Sequence, residues 1–203
     1  MQNELNQSSS KNFSFWSLLP AAVVLLGVCI FSSLGWSPLY KLYKLGQNQR
    51  EMNEFLDEHG IDGFVSWSGR TADSGLLRVS VNQINAEQAR HIADKLVDYE
   101  RIIVLQVSDS EMTDQGLHEL CRIESVRVLT ISNCPELSDQ GMAALVKLKN
   151  LSTLHLFDLN LSDSAVEHLE KLPPLSGLSL EGSGLSFEAR KELRRHLLGI
   201  APF

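Results

Sequence analysis

The feature that most constrains this chain is an apolar ladder repeated along its C-terminal half. Ile102, Leu105, Val107, Met112, Leu117, Leu120 and Ile123 recur as Val126, Leu129, Ile131, Leu137, Met142, Leu145 and Leu148. They recur again as Leu151, Leu154, Leu156, Leu161, Val166, Leu169 and Leu172. A fourth, fading copy runs Leu175, Leu178, Leu180, Leu185, Ala189 and Leu193, and the copies start 24, 25 and 24 residues apart. The opening of each copy is spaced i, i+3, i+5, which predicts a strand with these side chains turned inward. The later part is spaced about three apart and predicts a helix. A partial copy precedes them at Leu77, Val79, Ile84, Ala89 and Ile92. One copy cannot bury its apolar face alone; several stacked copies can.

Between strand and helix a polar motif recurs: Thr113-Asp114-Gln115-Gly116, Ser138-Asp139-Gln140-Gly141, then Ser162-Asp163-Ser164-Ala165. A hydroxyl at the first place accepts a hydrogen bond from an orphan helix N–H. A carboxylate at the second faces the positive end of the helix dipole. Asn85-Ala86-Glu87-Gln88 and Ser186-Phe187-Glu188-Ala189 are degraded versions. These residues are read as helix starts rather than as metal ligands.

The stretch VRVLTISNCPELSDQGMAALVKLKNL (126–151) resembles the cysteine-containing leucine-rich repeats of F-box adaptor proteins. It is more closely similar to the short repeats of bacterial leucine-rich-repeat proteins of the planctomycete type. The opening MNEFLDEHGIDGFVSW, the glycine of TDQG and a single N-terminal anchor fit that second group. The resemblance covers roughly residues 50–200. It implies an α/β fold: a short solenoid with parallel strands on the concave face and helices on the convex face, preceded by one transmembrane helix. It also places Cys134 at the Asn-or-Cys position of the turn, buried and structural. No F-box precedes the repeats, so a ubiquitin-ligase role has no support.

No charged residue occurs between Lys11 and Lys41. Within that gap Phe15 to Leu34 is long enough to cross a bilayer, which takes ~20 apolar residues. Its ten large aliphatic and aromatic side chains from Leu18 to Leu34 contribute on the order of -3 to -6 kcal/mol to insertion. Trp16, Trp36 and Tyr40 flank it, where aromatic rings favour the interface. Other readings of the segment stay open: a signal peptide cleaved near Ser33-Leu34-Gly35, a lipoprotein at Cys29, or a buried soluble helix. Lys41, Lys44 and Arg50 follow the span, while Lys11 precedes it, so the positive-inside rule leans towards a cytoplasmic C-terminal domain.

The expected organisation is a disordered tail (1–12), a transmembrane helix (13–36) and a juxtamembrane linker (37–46). There follow an N-terminal helix, hairpin and partial repeat (47–100), the leucine-rich repeats (101–186), and a C-terminal capping helix and tail (187–203). Lys41 to His59 reads as a helix interrupted at Gly46, with Gly60 as its left-handed C-cap. Ile61–Trp67 and Leu76–Val81 read as the strands of a hairpin. These pieces cover the apolar end of the array, as repeat proteins require.

Function is expected on the face between the inward residues. By register Arg78, Gln106, Ser108, Thr130, Ser132, Thr153, His155, Phe157, Ser179 and Glu181 point out over the sheet, with Ser80, Val104, Val128 and Gly177 in the same rows. His155 beside Phe157 is the candidate hot spot of a protein-binding surface. The net charge of -7 argues against nucleic acid. No nucleophile elbow, HExxH, Cys/His metal spacing or phosphate loop is present, so neither catalysis, nor a cofactor, nor a metal, nor a small-molecule substrate is expected. The rival expectations are a self-associating envelope protein and a secreted binder.

Overall fold

The computed structural model describes residues 37–68, 76–99 and 103–199, the first nine of these by backbone alone. The predicted tail (1–12) and transmembrane helix (13–36) lie outside the described residues. The chain divides into two compact units, Met1–Tyr43 and Lys44–Phe203. Among the described residues no helix is long and apolar enough to cross a membrane.

Helix α1, Ser37–Glu58, runs unbroken through Gly46. This corrects the expected interruption at Gly46. One exposed glycine costs a helix about 1 kcal/mol relative to alanine, and nothing lies within 4 Å of a Cβ built there to force a break. The helix stops as expected at Gly60, whose φ is +60°. The Ile61 N–H donates to the Leu56 carbonyl at 2.8 Å, closing the helix end.

Strands β1 (Asp62–Ser68) and β2 (Leu76–Asn82) form the antiparallel hairpin. Four parallel strands follow: β3 (Ile103–Ser108), β4 (Val126–Ser132), β5 (Thr153–Phe157) and β6 (Gly177–Ser179). They pair in sequence order into one six-stranded sheet. Parallel neighbours need a crossover, and each copy supplies a short helical one. These are α2 (Ala86–Leu96), α3 (Asp114–Leu120), a 3₁₀ helix (Gly141–Lys147), and a 3₁₀ turn (Asp163–Ala165) leading into α4 (Val166–Leu169); α5 (Phe187–Leu198) follows the last strand. The tight 3₁₀ winding suits Met142, Leu145 and Leu148, because three residues per turn superposes side chains three apart.

The core lies between the sheet and these helices. Val79, Leu105, Leu129 and Leu154 stand in register on adjacent strands and are buried. Val81, Val107, Ile131 and Leu156 form a second buried row. Ala89, Ile92, Leu117, Leu120, Met142, Leu145 and Leu169 close over them from the helical side. Every position but Val81 is one the sequence ladder names.

Each strand from β2 to β5 is followed by a residue with positive φ: Gln83, Asp109, Asn133 and Asp158, all between 48° and 51°. Gly182 takes the equivalent place after β6, at +65°. The step lets the ladder run one bond further. Gln83, Asp109, Asn133 and Asp158 donate their N–H groups to the carbonyls of Ser108, Ser132, Phe157 and Glu181 at 3.0–3.2 Å. Asn and Asp tolerate this conformation better than other side chains.

The Ser-Asp motif does more than start helices. Ser138 and Ser162 accept the N–H groups of Gln140 and Ser164, and Ser186 accepts that of Ala189, each at 3.2 Å. Thr113 makes no such cap bond. The carboxylates reach forward into the following copy. Asp114 accepts both the backbone N–H (2.8 Å) and the hydroxyl (2.6 Å) of Ser138. Asp139 does the same for Ser162, and Asp163 accepts the Ser186 N–H at 2.8 Å. Gly141 is required beside this clasp, because a Cβ there would fall 2.2 Å from Asp114 Oδ1.

Leu154→Asp places an unpaired charge in the core and abolishes folding, while Leu154→Ala costs about 3 kcal/mol; chemical denaturation of both variants measures this. Asp139→Ala removes two hydrogen bonds between copies and lowers stability by about 1–2 kcal/mol. The clasp also carries an acid dependence. The Ser186 backbone N–H, then its hydroxyl, hold the Asp163 carboxyl below its ordinary value of 3.8. Its stabilisation is therefore complete at neutral pH and is lost as pH falls through 3.8 towards the lower, folded value. Asp163→Asn flattens that part of the melting-temperature profile between pH 5 and pH 2.

Candidate partner-binding face

The side of the sheet away from the helices carries three rows of side chains, set by the register of six strands. The central row is Phe64, Ser80, Gln106, Thr130, His155 and Ser179. One flanking row is Asp62, Asn82, Ser108, Ser132 and Phe157. The other is Ser66, Arg78, Val104, Val128, Thr153 and Gly177. The structure thus brings nine of the ten sequence-predicted residues onto one surface. Glu181 departs from the expectation: β6 ends at Ser179, so Glu181 is exposed in the turn beyond the sheet. Val104, expected outward, is only 7% exposed.

Three pairs of polar side chains on this face satisfy one another. Ser80 Oγ donates to Gln106 Oε1 at 2.9 Å, and Ser132 Oγ to Ser108 Oγ at 3.0 Å. Asn82 donates to Asp62 at 3.2 Å. Such cross-strand pairs stiffen the surface. His155 is different. Its ring lies parallel to that of Phe157, with centroids 5.8 Å apart and planes 7° from parallel. Its Nδ1 is buried and has no hydrogen-bond partner. Buried polar atoms are nearly always paired, so this nitrogen holds unused bonding capacity next to an apolar ring.

The sequence reading missed the first strand's contribution. Phe64 is 55% exposed at the head of the central row. The signal was available: the hairpin was foreseen, and alternation from buried Val65 turns Phe64 outward.

A shallow cleft of about 590 Å³ lies on the helical side, lined by residues of α3 and the 3₁₀ helix Gly141–Lys147. Lys147 Nζ donates to His118 Nε2 there at 2.7 Å, and Asp114 is occupied by Ser138. Its charged side chains are therefore engaged by their neighbours. Among the described residues, no group of three or more His, Cys, Asp or Glu is placed to hold a metal ion.

No protein-family model matches the chain, and no curated protein matches it. Its own geometry carries the functional argument.

Cys121 and Cys134 are buried free thiols. Burial pushes Cys121 up to about 12, against a small opposing influence of Lys147. Burial likewise raises Cys134, although the backbone N–H of Ser110 opposes it. Its Sγ donates to the Ser132 carbonyl at 3.4 Å. A protonated, enclosed thiol is a poor nucleophile. Cys121 and Cys134 of the folded chain will resist iodoacetamide at pH 8 and react promptly in denaturant. Fast native labelling at Cys121 or Cys134, read by peptide mass, overturns this assignment.

Proposed function

We propose that the chain is a leucine-rich-repeat recognition module that docks a protein partner on its open sheet face and catalyses nothing. The strands form the concave side of a short solenoid, and the apolar segment 13–36 holds the module at a membrane as a single-pass anchor, with the array on the cytoplasmic side. The observation that carries the reading is the His155–Phe157 pair. Two stacked rings on a face of otherwise short, polar side chains match a partner that presents an apolar side chain. Around it Thr130, Thr153 and Ser179 are short and half-buried, so a partner approaches without displacing long side chains.

The repeat spacing, the motif resemblance and the in-register rows support the module. The absence of any catalytic motif in the sequence supports a binding role. The test is a crosslinking pull-down of the full-length protein from its own cells beside a His155→Ala/Phe157→Ala variant with an unchanged melting temperature. A partner that is captured by the native chain and lost with the variant is the expected result. An identical set of captured proteins from both would remove the open face from consideration.

A further inference from the structure

The two ends of the folded unit carry opposite charge. In the 47–58 stretch of α1 a single cation, Arg50, stands against Glu51, Glu54, Asp57 and Glu58, a net of -3. All four carboxylates are exposed, and none is held in a salt bridge among the described residues. Met52 and Leu56 face the core instead. Asn53 accepts the Val65 N–H at 2.8 Å, fixing this helix at the first strand of the sheet.

At the other end α5 holds four cations, Arg190, Lys191, Arg194 and Arg195, against Glu188 and Glu192, a net of +2 in a chain of net -7. Leu193 and Leu197 point into the core, and the Leu175 N–H donates to the Leu197 carbonyl at 2.8 Å. Lys191, Arg194 and Arg195 are exposed. Only Lys191 has an ionic partner among the described residues, Glu188 at 3.7 Å. The side chain of Arg190 keeps a buried Nε without a partner.

Each end also exposes one large apolar side chain, Phe64 on β1 (55%) and Phe187 at the start of α5 (69%). Phe187 shares α5 with Arg194 and Arg195, and exposed aromatic and arginine side chains together are the composition of an interface.

We propose that copies of this chain associate head to tail, the acidic face of α1 on one copy meeting the basic face of α5 on the next. Spacing supports this partner. Glu51, Glu54 and Glu58 follow i, i+3, i+7, one stripe of a helix, and Lys191, Arg194 and Arg195 follow i, i+3, i+4, another. The two patches differ, so the contact is heterologous; repetition builds a ring or a filament rather than a closed two-fold dimer. Attraction between exposed charges is screened within about 8 Å at physiological ionic strength, so the association weakens with salt.

The test uses the full chain with Cys29→Ser, in the membranes of the cells that make it. Glu54→Cys and Arg194→Cys are introduced together, and mild oxidation is followed by non-reducing gel electrophoresis. A ladder of dimers and higher species is expected. Chains carrying either cysteine alone should give no ladder, and a mixture of the two should give dimer only. Lys191→Glu/Arg195→Glu should reduce the ladder at least tenfold, and adding Glu51→Lys/Glu58→Lys should restore it. Melting temperatures of all variants check that the fold is kept. A missing ladder, equal crosslinking by each single cysteine, or a ladder indifferent to charge reversal would sink the proposal. Binding to anionic vesicles that needs Lys191 and Arg195, without crosslinks between copies, would assign the basic face to a lipid surface and overturn it as well.

Discussion

Each copy of this sequence contains one strand and one short helical turn, which is too little to enclose its own leucines. Burial of Leu105, Leu129 and Leu154 therefore takes place between copies, with each row sealed by the strand before and the strand after. That dependence on neighbours sets everything else. It demands one strand spacing throughout, one copy length to within a residue, and a different solution wherever the row of neighbours stops.

The solutions at the two ends differ. At the start, the free edge of β1 is met by α1, whose Asn53 satisfies a strand N–H. Gln88 of α2, whose backbone N–H bonds the Asn85 cap, donates to the Gly60 carbonyl and ties the first crossover to the helix end. At the finish, α5 is the longest helix after α1, and it buries Leu193 and Leu197 while keeping a charged exterior. Unpaired edges invite unwanted strand addition. Helices at the ends offer side chains in place of backbone donors, so any contact made there is chosen by charge and shape.

The sequence shows the parts that depend on local period. The i, i+3, i+5 spacing predicted the strands and their inward residues, and Gly60 marked the end of α1. The hairpin, the helix starts at Ser162 and Ser186, and the outward position of His155 and Phe157 are legible too, whereas the helix expected at Ser138 begins at Gly141 after a Gln140 cap. The parts it hides depend on the next copy. The bond from Asp114 to Ser138 spans 24 residues, and nothing local distinguishes it from a carboxylate beside a helix dipole. The left-handed step at Gln83 is also silent, because glutamine carries no turn signal; its N–H finds the Ser108 carbonyl only once β3 is in place. Gly46 misled in the opposite direction, since helix propensity is a weak prior that an otherwise favourable segment overrides. Glu181 was misplaced because the fourth copy fades, and its strand ends two residues earlier than the pattern implies.

The forward clasp has a consequence for how such a chain can change length. Asp114, Asp139 and Asp163 each bind a serine 23 or 24 residues ahead, and that serine belongs to a motif carrying the next clasp or closing the series at α5. Donor and acceptor are thus the same residue types in all three clasps. Inserting or deleting one whole copy leaves each remaining carboxylate facing an equivalent hydroxyl, whereas loss of a single residue breaks a clasp and throws a strand out of register. The array is built from interchangeable joints, so its natural unit of variation is the copy rather than the residue.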